Sequence, residues 1–227
     1  MSMQDRVVVV CGASGKLGPI VAQAFAAAGA RVAAIARRQD ELEPLVASLP
    51  GGTARHLGVP ADMGKLPTVR AAADTVRERF GPAEVLLQLV GGYRGELGLA
   101  EAPYAELAAM LNLNLLSTYH AVRAFLPDVR VAEHGRIVTV STPFAQNPGA
   151  ASAGYAASKA AVETLTLSVA KELAGTTATA NVIVIRTIGE AKPTHTRPEE
   201  IAAALLWLCS PAAGAINGQR IPLVGRA

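Results

Sequence analysis

The chain has 227 residues, enough for one large α/β domain or two small ones and for a sizeable buried core. Apolar residues make up 51%, aromatics only 4%, and the net charge is +3, which excludes a disordered chain. The Lys and Arg residues are scattered with no basic stripe or interleaved aromatics, which speaks against nucleic acid, and no apolar run reaches the ~18–20 residues that span a bilayer.

Apolar β-branched runs alternate with alanine-rich amphipathic stretches. Val7–Cys11 reads as a strand, entered directly from Arg6, so no secretory leader is expected. Leu17–Ala28 reads as a helix with Gly29 as its C-cap. Arg31–Ala36 is a second strand, Asp40–Ser48 a helix, and Thr53–Leu57 a weak third strand. Leu66–Phe80 is a helix stopped by Gly81-Pro82, and Glu84–Val90 a fourth strand. Pro103–Leu126 reads as one long helix, Gly135–Ser141 as a fifth strand, and Ser152–Leu173 as a second long helix. Asn181–Arg186 is a sixth strand. Pro198–Cys209 is a helix opened by a proline and the acidic pair Glu199-Glu200, and Arg220–Val224 is a short last strand.

Strand–helix alternation with near-continuous apolar strands implies a parallel sheet covered on both faces. With no linker, repeat or low-complexity segment, the expectation is a single doubly wound Rossmann-type α/β domain over residues 1–227, with a parallel seven-stranded sheet. Cys11 and Cys209 read as small buried residues rather than a disulfide framework, which fits a reducing cytoplasm. His56, His120, His134 and His195 have no metal-ligand spacing, and no metal is expected.

Three motifs carry chemistry. The first is Gly12-Ala13-Ser14-Gly15-Lys16-Leu17-Gly18, between the first strand and the first helix. A helix N-terminus offers free N–H groups and a positive dipole end to a pyrophosphate, and glycines let the backbone come close. The spacing is G-x-x-G-x-x-G rather than G-x-G-x-x-G, so a plain tight turn is the competing reading. The second is the end of strand two, Ala36-Arg37-Arg38. An NAD site places an Asp or Glu there for the ribose 2′-hydroxyl. Ala36 with two arginines suits the 2′-phosphate of NADP, or else forms a solvated basic loop. Asp62 and Met63 follow the third strand, where the Asp62 carboxylate could take the adenine amino group or cap the next turn.

The third motif is Tyr155-Ala156-Ala157-Ser158-Lys159. Its phenol and ammonium share one helix face at i and i+4. A cation beside a phenol favours the phenolate and lowers its pKa toward neutral, which would let Tyr155 exchange a proton with a carbonyl or alcohol oxygen. An exposed Tyr–Lys helix pair is the bland alternative.

In this order the pieces resemble the short-chain dehydrogenase/reductase family over nearly the whole chain. Asn112-Leu113-Asn114-Leu115-Leu116-Ser117 is similar to the family's asparagine segment, with Asn114 in the Asn position. Gly135–Thr142 is similar to its serine strand, and Ile216-Asn217-Gly218-Gln219 to the turn before its last strand. The resemblance implies that Tyr155 exchanges the proton and that Lys159 holds the nicotinamide ribose. It implies that Asn114 anchors a proton-relaying water and that a hydroxyl orients the substrate carbonyl. The family's serine falls thirteen positions before the tyrosine, at Thr142, which is favoured over Ser141. Pro143 holds Thr142 in extended backbone. By the same resemblance the cofactor contacts are Gly12, Ser14, Gly15, Lys16, Leu17, Gly18, Arg37, Arg38, Asp62, Met63, Val90, Gly91, Tyr155 and Lys159.

The chain also departs from the family. Gln88-Leu89-Val90-Gly91 replaces N-N-A-G, and Lys16 stands where the middle glycine usually sits. After strand six, Arg186-Thr187-Ile188-Gly189 leads through a polar stretch (residues 190–197) into the last helix, so the usual substrate lid is nearly absent. The expectation is an oxidoreductase favouring NADP(H) over NAD(H), with a small carbonyl or alcohol substrate; Phe144 and Tyr93 read either as apolar pocket walls or as core or surface aromatics. The alternatives are a weakly catalytic NADP(H)-binding or redox-sensing protein and an enzyme like dihydropteridine reductase, a short-lidded relative. Members commonly form homotetramers, and a homotetramer or homodimer through the two long helices is expected.

Overall fold

The structure is a computed structural model and describes residues 2–95 and 97–226. Seven parallel strands form one sheet in the order β3-β2-β1-β4-β5-β6-β7. They are β1 (Val7–Cys11), β2 (Arg31–Ala36), β3 (Leu57–Pro60), β4 (Val85–Gln88), β5 (Arg136–Ser141), β6 (Thr179–Ile185) and β7 (Arg220–Leu223). The helices are α1 (Gly18–Ala27), α2 (Gln39–Ser48), the single turn α3 (Gly52–Arg55), α4 (Leu66–Phe80), α5 (Tyr104–Met110), α6 (Ser117–Val131), α7 (Ala153–Glu172) and α8 (Pro198–Leu208).

Strand residues alternate between two cores, as a two-sided sheet requires. Val8, Val10, Val32 and Ala34 pack against α1 and α8, while Val9, Cys11, Ala33 and Ile35 face α4 and α6. Arg6 and Arg136 reach the carbonyls that end α8. Arg6 Nη1 donates to Cys209 O at 2.6 Å and Arg136 Nη2 to Ser210 O at 3.3 Å. Cations at that end satisfy orphan carbonyls and oppose the helix dipole. Among the described residues no helix is long and apolar enough to cross a membrane.

Two expected elements differ. Thr53–Leu57 is not a strand: Gly52–Arg55 forms a helical turn, and β3 begins at Leu57. His56 closes that turn, taking the Val32 N–H on Nδ1 at 3.1 Å and meeting Pro50 O through Nε2 at 2.8 Å. Gly58 and Pro60 hide the strand in the sequence, and an edge strand tolerates the proline. The long helix expected at 103–126 runs on to Val131 and is interrupted by a π-helical stretch, Leu111–Leu116. Such bulges often mark functional sites, and this one carries Asn114.

The chain reverses direction across the sheet between β1 and β4, where α1 and the β4–α5 connection part. The crevice at the carboxyl ends of these strands is where open α/β sheets bind ligands.

Candidate active site

The crevice holds a cavity of about 390 Å³. Gly12, Ser14, Gly15, Lys16, Leu17, Gly18, Arg37, Asp62, Met63, Val90 and Gly91 all line it. Backbone contact dictates the glycines. Gly12 has φ +84°, and a Cβ there would lie 3.0 Å from Val90 N. A Cβ on Gly18 would lie 2.4 Å from both Ala13 O and Gly12 O. The turn closes on itself, with Gly15 N donating to Gly12 O at 3.0 Å and Gly18 N to Gly15 O at 3.2 Å.

Arg38 does not join this cavity. Its guanidinium pairs with Asp40 and Glu41 at the start of α2. Asp62 spends one oxygen on capping the turn, where Oδ1 accepts the Gly64 N–H at 3.0 Å, although the residue still lines the cavity. Lys16 crosses the mouth of the cavity and donates to Ile188 O.

At the far end of the cleft Gly91 leads to the second group. Asn114 is fully buried. Its Nδ2 donates to Gly92 O at 3.1 Å and to Ser158 Oγ at 3.0 Å, and its Oδ1 accepts the Gly92 N–H at 3.0 Å. A Cβ on Gly91 would lie 2.8 Å from Lys159 Nζ and 2.9 Å from Asn114 Oδ1, so a side chain there would push the ammonium and the amide aside. Lys159 Nζ donates to Val140 O at 2.9 Å, and burial pulls its pKa down to about 8.

Tyr155, one turn before Lys159 on α7, is partly buried. Desolvation raises its pKa, the neighbouring Thr142 hydroxyl pulls it down, and Tyr93 pushes it up, with the net direction upward. The sequence expectation of a phenol acidified toward neutral by Lys159 is therefore corrected. Lys159 is turned to a carbonyl in a dry site that discourages its own charge, so the local acidifying group is Thr142. Thr142 is extended (φ −144°, ψ 155°), as the following proline demands. Ser141 points elsewhere and donates to Glu163 Oε1 at 2.7 Å. The Tyr93 ring meets Tyr155 edge-on at 4.9 Å and Phe144 lies at 6.4 Å, so two exposed aromatics flank the phenol.

The residues between β6 and α8 form a short folded strap. Ile188 bridges Thr196, Thr196 Oγ1 donates to Leu223 O at 2.6 Å, and Arg226 N donates to Pro193 O at 2.8 Å. These bonds tie the strap to the chain's last strand. Ile188 lines the cavity, and Tyr155 stays partly exposed.

The sequence matches the short chain dehydrogenase family over residues 6–198. The chain belongs to this family. Among its curated relatives is D-threitol dehydrogenase of Mycolicibacterium smegmatis, 30% identical over 98% of this chain and 93% of that protein. The 3-oxoacyl-(acyl-carrier-protein) reductase FabG of Vibrio cholerae is 26% identical over 99% of this chain and 98% of its own length. The 7alpha-hydroxysteroid dehydrogenase of Escherichia coli is 25% identical over 99% of this chain and 95% of that protein. Short-chain dehydrogenases are oxidoreductases that act on CH–OH or C=O groups with a nicotinamide cofactor. The alignment with the threitol enzyme runs to 247 positions against 227 residues here, so that relative carries residues this chain lacks.

Several residues of this short-chain dehydrogenase's site gave no sequence signal. Asn112, Ser117 and Ile188 line the cavity. Asn112 sits in the π-helical stretch, whose turn of phase the apolar pattern does not reveal. Ile188 reaches the cavity only because the strap is short. Glu163, buried and bonded to Ser141, reads in the sequence as an ordinary polar position of an amphipathic helix.

Proposed function

We propose that this short-chain dehydrogenase is an NADP(H)-dependent oxidoreductase that interconverts a carbonyl and an alcohol, with Tyr155 as proton donor or acceptor. The observation that carries the reading is the placing of Thr142, Tyr155 and buried Lys159 just beyond the cavity, with the Lys159 ammonium against Gly91, a residue that lines it along with the glycine turn. The backbone fits a dinucleotide. The turn's glycines leave room that any Cβ would fill, and the N-terminus of α1 faces a place suited to a pyrophosphate. Ala36 at the end of β2 offers no carboxylate to a 2′-hydroxyl, while Arg37 lines the same cavity and suits a 2′-phosphate. When bound, the cofactor supplies or accepts the hydride.

The chain's own residues do the rest. Thr142 orients the substrate oxygen and lowers the pKa of the phenol beside it. Tyr155, with its pKa above the ordinary tyrosine value of 10.0, stays protonated at neutral pH and is set to give its proton, which favours carbonyl reduction. Lys159 holds the cofactor's ribose and Asn114 fixes the loop at Gly92 that borders it. Tyr93 and Phe144 form apolar walls for the substrate, and the short strap leaves that side open. The relatives' names span threitol, 3-oxoacyl and 7alpha-hydroxysteroid compounds, so they leave the substrate class broad.

Exposed Leu116 and Tyr119 lie along one stretch of helix, which supports a homodimer or homotetramer through α5–α6 and α7. The two buried free cysteines support a cytoplasmic setting. The open substrate side also favours a second reading, a weakly catalytic NADP(H)-binding or redox-sensing protein. A pteridine-type reductase would be the same chemistry on another substrate.

Titration with NADPH and NADH, followed by nicotinamide fluorescence, tests the cofactor reading. Tighter NADPH binding that Arg37→Ala weakens about tenfold or more, and Arg38→Ala changes little, is the expected result. Equal or tighter NADH binding would remove the NADP preference. Failure to bind either would remove the enzyme reading.

A further inference from the structure

One buried carboxylate lies behind the site, on the helix that carries Tyr155 and Lys159. Glu163 is 2% exposed and is two helical turns from Tyr155. Three other elements meet it. Ser141, the last residue of β5, donates from Oγ to Oε1 at 2.7 Å. Gln146, just past the turn at Pro143–Ala145, donates from Nε2 to Oε2 at 3.3 Å. Arg220, the first residue of β7, donates from Nε to Oε2. A buried carboxylate needs such partners, and three side chains supply them here.

The order of these contacts along the chain matters. Ser141 and Gln146 bracket a loop whose interior residues are Thr142 and Phe144, the hydroxyl on the phenol and one of its aromatic walls. The loop is stiff between its anchors, with Ala145 N donating to Thr142 O at 3.0 Å and Gln146 N to Pro143 O at 3.1 Å. One carboxylate thus holds both ends of the loop to α7, the helix that carries the phenol.

We propose that Glu163 is a positioning residue: its carboxylate clamps the 141–146 loop at both ends and so sets the Thr142 hydroxyl against Tyr155. The role rests on the Tyr155 mechanism proposed above, but its test does not require turnover.

The sign of a charge effect separates positioning from simple electrostatics. Tyr155 faces Thr142 and Phe144 from the loop after β5 and Tyr93 from the loop after β4, while Lys159 on its own helix turns to Val140 O. Glu163 faces Ser141, Gln146 and Arg220. Removing the Glu163 charge and leaving Arg220 would by itself lower the Tyr155 pKa. Loosening Thr142 would remove the group that now lowers it, and would raise the pKa.

The test is an NMR pH titration of tyrosine labelled at Cζ, with Tyr155 assigned by its loss in Tyr155→Phe. Thr142→Val, Glu163→Gln and Ser141→Ala are compared with the wild type, and circular dichroism checks the fold. Glu163→Gln and Ser141→Ala are expected to move the Tyr155 midpoint upward, in the direction of Thr142→Val, with NADPH affinity unchanged. Ser141→Ala breaks one arm of the clamp without altering charge and carries the test if Glu163→Gln does not fold. A folded variant with the midpoint unchanged or lowered, while Thr142→Val raises it, overturns the clamp. Normal turnover by Tyr155→Phe would instead overturn the proposed mechanism and leave the clamp standing.

Discussion

The two ends of the cleft are shaped by opposite means. At the glycine-turn end the backbone does the shaping: Gly12 and Gly18 lie against main-chain atoms of Val90, Ala13 and the turn itself, and no side chain needs to move to form the cavity. At the tyrosine end side chains do it. Lys159, Asn114 and Glu163 are each held by a hydrogen bond, to Val140 O, Ser158 Oγ and Ser141 Oγ, and the outer wall among the described residues includes two exposed rings, Tyr93 at 56% and Phe144 at 38%. The first end is specified by what cannot fit, the second by what must be paired. Backbone walls have no tolerance for added atoms, whereas an open aromatic rim can change with small loss.

This contrast can be broken or sharpened by substitution. The largest effect is expected at Gly18→Ala. Its Cβ would lie 2.4 Å from two backbone oxygens that cannot retreat, so unfolding stability should fall by about 3 kcal/mol and dinucleotide binding should be lost. Thermal unfolding with a cofactor titration checks this, and a stable variant that binds normally would mean the turn is looser than described.

Lys159→Met should abolish turnover yet stabilise the fold. The Lys159 pKa in the fold, about 8, lies below the ordinary 10.5. Between those values the unfolded chain binds more protons, so stability rises with pH across the window, and below about pH 8 the buried ammonium costs the fold in full. Replacing it should add about 1–3 kcal/mol at pH 7, with the gain vanishing above about pH 10. Chemical denaturation of both proteins across that range measures it. A variant less stable than the wild type at pH 7 would mean that the Val140 hydrogen bond outweighs burial.

The smallest effects belong to the open rim. Tyr93→Ala and Phe144→Ala should each raise KM for a carbonyl substrate by about tenfold or less, leaving NADPH affinity and thermal stability unchanged. Steady-state kinetics tests this, and a collapse of kcat in either variant would place that ring in the chemistry rather than on the wall.

Much of this contrast was legible in the chain. Residues that act through backbone geometry announce themselves, because Gly12 and Gly18 have no alternative, and Tyr155 with Lys159 keeps its spacing on one helix face. The parallel seven-stranded sheet followed from strand–helix alternation. What escaped depends on partners brought from afar. β3 was hidden by Gly58 and Pro60. Arg38 reads as a phosphate ligand until Asp40 and Glu41, two and three residues on, are seen to hold it. The direction of the Tyr155 pKa depends on how deeply α7 is buried and on which way Lys159 turns, and no motif encodes either. Glu163 has meaning only once β5, β7 and the loop after β5 close around it.

Hydride transfer by wild type and Tyr155→Phe, measured alongside NADPH binding on a panel of carbonyl compounds, tests the central claim most directly. The account predicts that NADPH binds both proteins equally while turnover in the variant falls by about 100-fold or more. Unchanged turnover by Tyr155→Phe would contradict it.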